Sequence, residues 1–152
     1  MPRKFPAWRL PASDGRTIGS KDLAGTPYVL YFYPKDLTPG CTTEACDFNN
    51  ELSGFAELGV EVFGVSPDPL ARHEKFIAKH DLGFVLLSDE DHAVAEKLAV
   101  WGPKKFMGRE FDGIRRSTFL VGADGKLIQE WRNVKVKNHV AEVLAAAREA
   151  VS

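Results

Sequence analysis

The sequence predicts an α/β fold in which a mixed central sheet is flanked by helices and preceded by an N-terminal extension. Three observations carry that prediction. Residues 28–33, YVLYFY, form an unbroken β-branched and aromatic run, as expected of a strand buried on both faces. Further runs at 60–65 and 84–87 are each preceded by a stretch of helical periodicity, which implies parallel strands joined by crossovers. Near the end, Ala123-Asp124-Gly125 separates two strand-like segments and signals an antiparallel hairpin.

In chain order, residues 1–27 are rich in proline and glycine and are read as short edge strands near 8–11 and 16–19 around the Asp14-Gly15 turn, followed by a capped turn at 20–23. After strand 28–33, one helix is predicted over 41–58. Ala45, Phe48, Leu52, Phe55 and Leu58 recur at helical spacing, and Gly59 suits the C-terminal cap. Strand 60–65 leads through Ser66-Pro67-Asp68-Pro69, a turn and helix start, into a helix at 70–81. Strand 84–87 and a helix at 89–99 follow. Residues 100–114 are read as irregular because glycine and proline interrupt them. Strands 117–121 and 126–131 make the closing hairpin. A last helix, 138–151, carries Val140, Val143, Leu144 and Ala147 on one face. This order is that of the thioredoxin fold with an N-terminal extension, in one domain spanning 1–152.

The chain of 152 residues has a formal net charge of −1, which gives no field to attract nucleic acid or an anionic membrane. No window approaches a membrane span, and the opening MPRKFPAWRL has no apolar leader, so a cytoplasmic protein is expected. In a reducing compartment a permanent disulfide is disfavoured and a transient, catalytic one is the more natural use of two cysteines.

Those two cysteines, Cys41 and Cys46, follow a Pro/Gly turn at the predicted start of a helix. Unpaired N–H groups and the positive end of the helix dipole stabilise a thiolate there, which favours a reactive Cys41. Position alone leaves Cys46 undecided between a packing residue and a second redox thiol. Five residues of helix place two Cα atoms about 8.5 Å apart, beyond the ~7 Å limit for a disulfide. If the pair joins, the helix must first unwind. A zinc site lacks two further ligands, and the C-x-x-C of thioredoxin is absent.

The pattern Pro34-x-x-x-Thr38-x-x-Cys41 resembles the active-site motif of the peroxiredoxins. The longer FYPKDLTPGCTTEACDF is similar to the bacterioferritin comigratory protein, or peroxiredoxin Q, branch. Gly64-Val-Ser-Pro-Asp68, Lys104-Lys-Phe-Met-Gly108 and Arg116-Ser-Thr-Phe-Leu120 continue the likeness over nearly the whole chain. The resemblance implies a thioredoxin-dependent peroxidase for hydrogen peroxide and organic hydroperoxides, without metal, haem or flavin. It implies that Cys41 is the peroxidatic cysteine and Cys46 the resolving one. Thr38 would bind the peroxide, Pro34 shield the sulfenate, Arg116 stabilise the thiolate and leaving oxygen, and Glu44 orient the arginine. The branch is often monomeric.

Plainer readings stand beside these. Thr38 also suits a turn, Pro34 a strand end and Glu44 the helix dipole. Arg115 competes with Arg116, although strand alternation puts them on opposite faces, and the family pattern selects Arg116. A one-cysteine peroxidase, with Cys46 merely packed, and a non-catalytic redox sensor or holdase are the alternative functions. His73, His80, His92 and His139 show no ligand spacing and are read as surface residues, and Trp8, Trp101 and Trp131 as packing residues. The basic segment 104–116 is read as a solvated loop, the alternative being that it helps hold an anionic or polar substrate near Cys41, since it leads into Arg116.

Overall fold

The computed structural model describes residues 4–151, apart from the side chain of Phe106. Strands β1 (Arg9–Pro11) and β2 (Thr17–Gly19) pair antiparallel, and a single 3-10 turn follows at Ser20–Leu23. This extension is tied to the main sheet by the amide of Ser13, which donates to the carbonyl of Leu86. Strand β3 (Tyr28–Phe32) is fully enclosed. Its alternation divides the molecule: Tyr28, Leu30 and Phe32 face one core, and Val29, Tyr31 and Tyr33 face the other.

Helix α1 (Pro39–Asn50) and the short α2 (Leu52–Glu57) stand where one helix over 41–58 was expected. The helix starts earlier because Thr38 is extended (ψ 153°) and Pro39 takes the first helical position, where its missing N–H costs nothing. It breaks at Glu51 after two asparagines, residues whose side chains compete for backbone groups. The side chain of Asn49 instead ties α1 to the loop after α3, accepting from the Gly83 amide at 2.7 Å and donating to the Asp81 carbonyl at 3.1 Å.

Next come β4 (Glu61–Ser66), α3 (Leu70–His80), β5 (Val85–Ser88) and α4 (Ala93–Lys97). Helix α4 is shorter than the predicted 89–99, and the carboxylate of Asp89 accepts the amides of Val94 and Ala95 at its start. The segment expected to be irregular is an antiparallel hairpin, β6 (Trp101–Phe106) and β7 (Arg109–Ile114). Its turn needs two residues at positive φ, which Met107 (53°) and Gly108 (78°) supply. A methionine is an unusual choice there, so the turn carries no strong sequence signal.

Strand β8 (Ser117–Val121), strand β9 (Leu127–Trp131) and helix α5 (His139–Val151) complete the chain. The main sheet has the order β5-β4-β3-β8-β9, with β3, β4 and β5 parallel and β8 and β9 antiparallel. This is the mixed sheet of the thioredoxin fold. The residues of α1, α2, α3 and α5 fill one core; those of the N-terminal extension and α4 fill the other. Gly64 leaves room on one face of the sheet for the side chains of its cross-strand neighbours Tyr31 and Leu86, since a Cβ there would lie 2.8 Å from atoms of both. No helix among the described residues is long and apolar enough to cross a membrane.

Phe48 pins α1 to the sheet. It is fully buried, and its ring stacks on Tyr31 with centroids 4.5 Å apart. Phe48→Ala is expected to lower stability by about 3–5 kcal/mol in urea unfolding; a loss below about 1 kcal/mol would show that α1 is held by other contacts.

Candidate active site

Strand β3 delivers the chain to a loop, 34–38, at the carboxyl end of the sheet, and α1 begins there. Cys41 is the third residue of α1 and is 2% exposed. The register of the antiparallel pair β3–β8 sets Ser117 opposite Phe32. Arg116, one residue earlier, therefore lies beside the end of β3, where the cysteine loop begins.

Its guanidinium makes two contacts. Nη2 donates to the Cys41 sulfur at 3.3 Å, and Nη1 donates to Glu44 Oε1 at 2.5 Å. Glu44 is three residues beyond Cys41, so both face the same side of the helix. Gly40 leaves room for the guanidinium, since a Cβ there would stand 3.3 Å from Nη2. Arg115 points elsewhere, toward the carbonyl of Pro103 at 3.4 Å.

The site is a buried charge cluster with one exposed edge. Burial pushes the Glu44 carboxyl up from 4.5 to about 7, with the charge and hydrogen bond of Arg116 pulling back. Its second oxygen, Oε2, has no hydrogen-bond partner. The half-buried Lys104, on β6, donates to the Ile114 carbonyl at 2.7 Å. Its ammonium pKa is lowered by burial and by repulsion from Arg116, and drawn up by Cys41. Behind Arg116, His139 is buried and bonded to the Thr118 hydroxyl oxygen at 2.8 Å. Burial, reinforced by Arg116, lowers its pKa to about 4, so it is neutral at pH 7.

The half-buried Thr38 caps α1 and donates its hydroxyl proton to the Lys35 carbonyl at 2.8 Å. Pro34 is half-buried in the same loop. Cys46 lies further along α1, half-buried, and both thiols are free. The structure therefore brings together Cys41, Arg116 and Glu44, places Thr38 and Pro34 in the adjoining loop, and keeps Cys46 apart.

A profile of the AhpC/TSA family matches residues 1–130. The chain belongs to the AhpC/TSA family. Within these peroxiredoxins it is 52% identical over 147 residues to peroxiredoxin Bcp of Bacillus subtilis (strain 168), covering 97% of this chain and 94% of that one. It is 43% identical over 139 residues to peroxiredoxin Bcp of Escherichia coli (strain K12), covering 91% and 89%. Among solved structures, peroxiredoxin Q of Xanthomonas campestris superposes with a TM-score of 0.90 at 42% identity, covering 95% of this chain and 92% of that one.

Two histidines read as surface residues belong to the interior of this peroxiredoxin. His139 is 3% exposed and His73 wholly buried. Helical position carried the signal: His73 lies three residues before the buried Phe76, and His139 four before Val143. His80 packs edge-on against Phe76, and His92 stacks on Trp101 at 3.8 Å. Trp8 is buried and donates to the Tyr28 hydroxyl, in keeping with a packing role. Met107, in the turn of the β6–β7 hairpin, is exposed. His73 sits with Asp36 and Asp68 in a buried cluster whose ligand-type atoms lie within 4.8 Å of one another. The same atoms are already bonded to each other or to neighbouring groups.

The Glu44 environment has a measurable consequence. A carboxyl whose folded pKa is raised holds its proton longer when folded, so its contribution to stability falls as pH rises from about 4.5 to about 7. The opposing drift from His139, whose folded pKa is lowered, is common to both proteins when wild type is compared with Glu44→Gln. The difference in unfolding free energy is expected to move against wild type between pH 5 and 7, by up to about 1.4 kcal/mol per unit. Parallel curves would show that Glu44 is ionised throughout that range.

Proposed function

We propose that Cys41 is the peroxidatic cysteine of this peroxidase and that hydrogen peroxide and organic hydroperoxides are its substrates. The observation that carries this reading is the 3.3 Å contact from Arg116 Nη2 to the Cys41 sulfur at the start of α1. A guanidinium and a helix N-terminus together favour the thiolate, the form that attacks. The thiolate attacks one peroxide oxygen, the O–O bond breaks, and the sulfur becomes a sulfenic acid. The departing oxygen takes a proton and leaves as water or an alcohol. Arg116 stabilises the charge that develops on that oxygen, and Glu44 holds the guanidinium in place. Thr38 binds the peroxide O–H, and Pro34 shields the sulfenate. A structure of the Xanthomonas campestris bacterioferritin comigratory protein, 41% identical with a TM-score of 0.90, is described in terms of alkyl peroxide reduction, which supports organic hydroperoxides as substrates here.

Cys46 is then the resolving cysteine. Its thiol condenses with the sulfenic acid, releasing water and forming a disulfide. Both residues lie on one continuous helix, so α1 must open locally for their sulfurs to meet. Thioredoxin, or a similar dithiol protein, returns the pair to thiols. The working unit is a single domain of residues 1–152, monomeric and cytoplasmic.

Cys46→Ser decides between this cycle and one resolved by an external thiol. The variant is expected to consume one equivalent of peroxide as fast as wild type and to lose thioredoxin-coupled turnover. Amide protection across 39–50 is expected to fall on oxidation of wild type and to persist in oxidised Cys46→Ser. Unimpaired turnover with thioredoxin would remove Cys46 from the cycle.

A further inference from the structure

Asp36 lies in the loop between Pro34 and Thr38, is wholly buried, and has a partner at every polar group it carries. Its amide donates to Asp68 Oδ2 at 2.8 Å, and its carbonyl accepts from Arg72 Nη2 at 3.3 Å. Its carboxyl oxygens meet the Tyr33 hydroxyl at 2.5 Å and His73 Nδ1 at 2.5 Å. The partners are themselves anchored to regular structure. His73 Nε2 lies 2.9 Å from the Leu87 carbonyl on β5; a carbonyl only accepts, so that nitrogen bears a proton. Asp68 accepts the Ser66 hydroxyl at 2.6 Å from the end of β4, and its carbonyl accepts Ser88 of β5 at 2.6 Å.

This anchoring reaches the substrate loop through one peptide plane. The amide that Asp68 holds and the carbonyl of Lys35 belong to the same planar unit, so fixing the first fixes the second. That carbonyl takes the hydroxyl proton of Thr38. Between the anchor and Thr38 stands Leu37 at φ 66°, a left-handed conformation that is strained for a non-glycine residue. The loop holds this shape because Asp36 is fixed on one side and α1 begins on the other.

We propose that Asp36, with Asp68 and His73 behind it, is a positioning network for the peroxide. It sets the peptide between Lys35 and Asp36 so that Thr38 spends its proton on the Lys35 carbonyl and presents its oxygen as an acceptor. The hydroperoxide O–H then donates to Thr38, which orients the O–O bond toward the Cys41 sulfur, while Arg116 supplies donors to the oxygens. The network touches neither the sulfur nor the substrate, and it rests on the peroxidase reading given above.

Stopped-flow oxidation of Cys41 by hydrogen peroxide tests it, with iodoacetamide alkylation of the same thiol as the control. Alkylation needs the thiolate but not Thr38. Asp36→Ala is expected to slow peroxide oxidation by up to about 10²-fold, the scale of a misplacement near 1 Å, while alkylation keeps its wild-type rate. Tyr33→Phe removes one hydroxyl and keeps the ring. It is expected to show a smaller loss in the same direction, and it carries the test if Asp36→Ala does not fold. Asp36→Asn can accept from Tyr33 and donate to His73 Nδ1, so every hydrogen bond survives without the charge. Its rate is expected nearer wild type than Asp36→Ala. Wild-type peroxide rates in both Asp36→Ala and Tyr33→Phe, an Asp36→Asn as slow as the alanine variant, or alkylation falling in parallel would each overturn the network. Wild-type oxidation no faster than that of a free cysteine would instead overturn the peroxidase reading itself, and the network with it.

Discussion

The contact between Arg116 and the Cys41 sulfur depends on nearly everything else in the fold. It requires β3 and β8 to be neighbours, antiparallel and in one register, because only then does the residue before Ser117 reach the loop that follows Phe32. It requires α1 to begin at Pro39, so that Cys41 falls in the first turn and Glu44 one turn further on the same side. Losing either would leave a buried cation without its partners, a costly state in a low-dielectric interior. Gly40 eases the fit, since a Cβ there would stand a tight 3.3 Å from Nη2.

The same helix faces two opposing demands. Intact, it places Cys41 in its first turn, at the positive end of its dipole, and holds Cys46 out of bonding distance. In the proposed cycle it must then open to let the sulfurs meet. The break at Glu51 separates α1 from α2, although Phe48 of α1 still meets Phe55 of α2 with ring centroids 6.0 Å apart. On the other side, Asp36 ties the chain to β4, β5 and α3 immediately before α1.

Much of this was legible in the residues. The YVLYFY run, the helical stripes and the Asp-Gly turn were sufficient for the sheet and its flanking helices, because buried strands and amphipathic helices leave period-specific patterns. The motif around Cys41 marked the thiol, and the arginine before Ser117 marked its partner. Three things escaped. The hairpin at 101–114 turns on a methionine at positive φ, so its defining residue resembled noise. His73 and His139 occupy buried stripe positions, but their polarity outweighed their spacing. Asp36 and Asp68 sit in Pro-rich turns, where an aspartate is ordinarily solvated, and only the three-dimensional return of α3 and β5 over the loop encloses them. Long-range burial of polar groups leaves no local pattern to read.

The most direct measurement is the second-order rate constant for oxidation of Cys41 by hydrogen peroxide in wild type and in Arg116→Met, which keeps side-chain bulk and removes the donors. A fall of about 10²–10³-fold is expected, the scale on which losing one donor to a developing negative charge slows catalysis. An Arg116→Met protein that reacts as fast as wild type would contradict the central role given to the Arg116–sulfur contact.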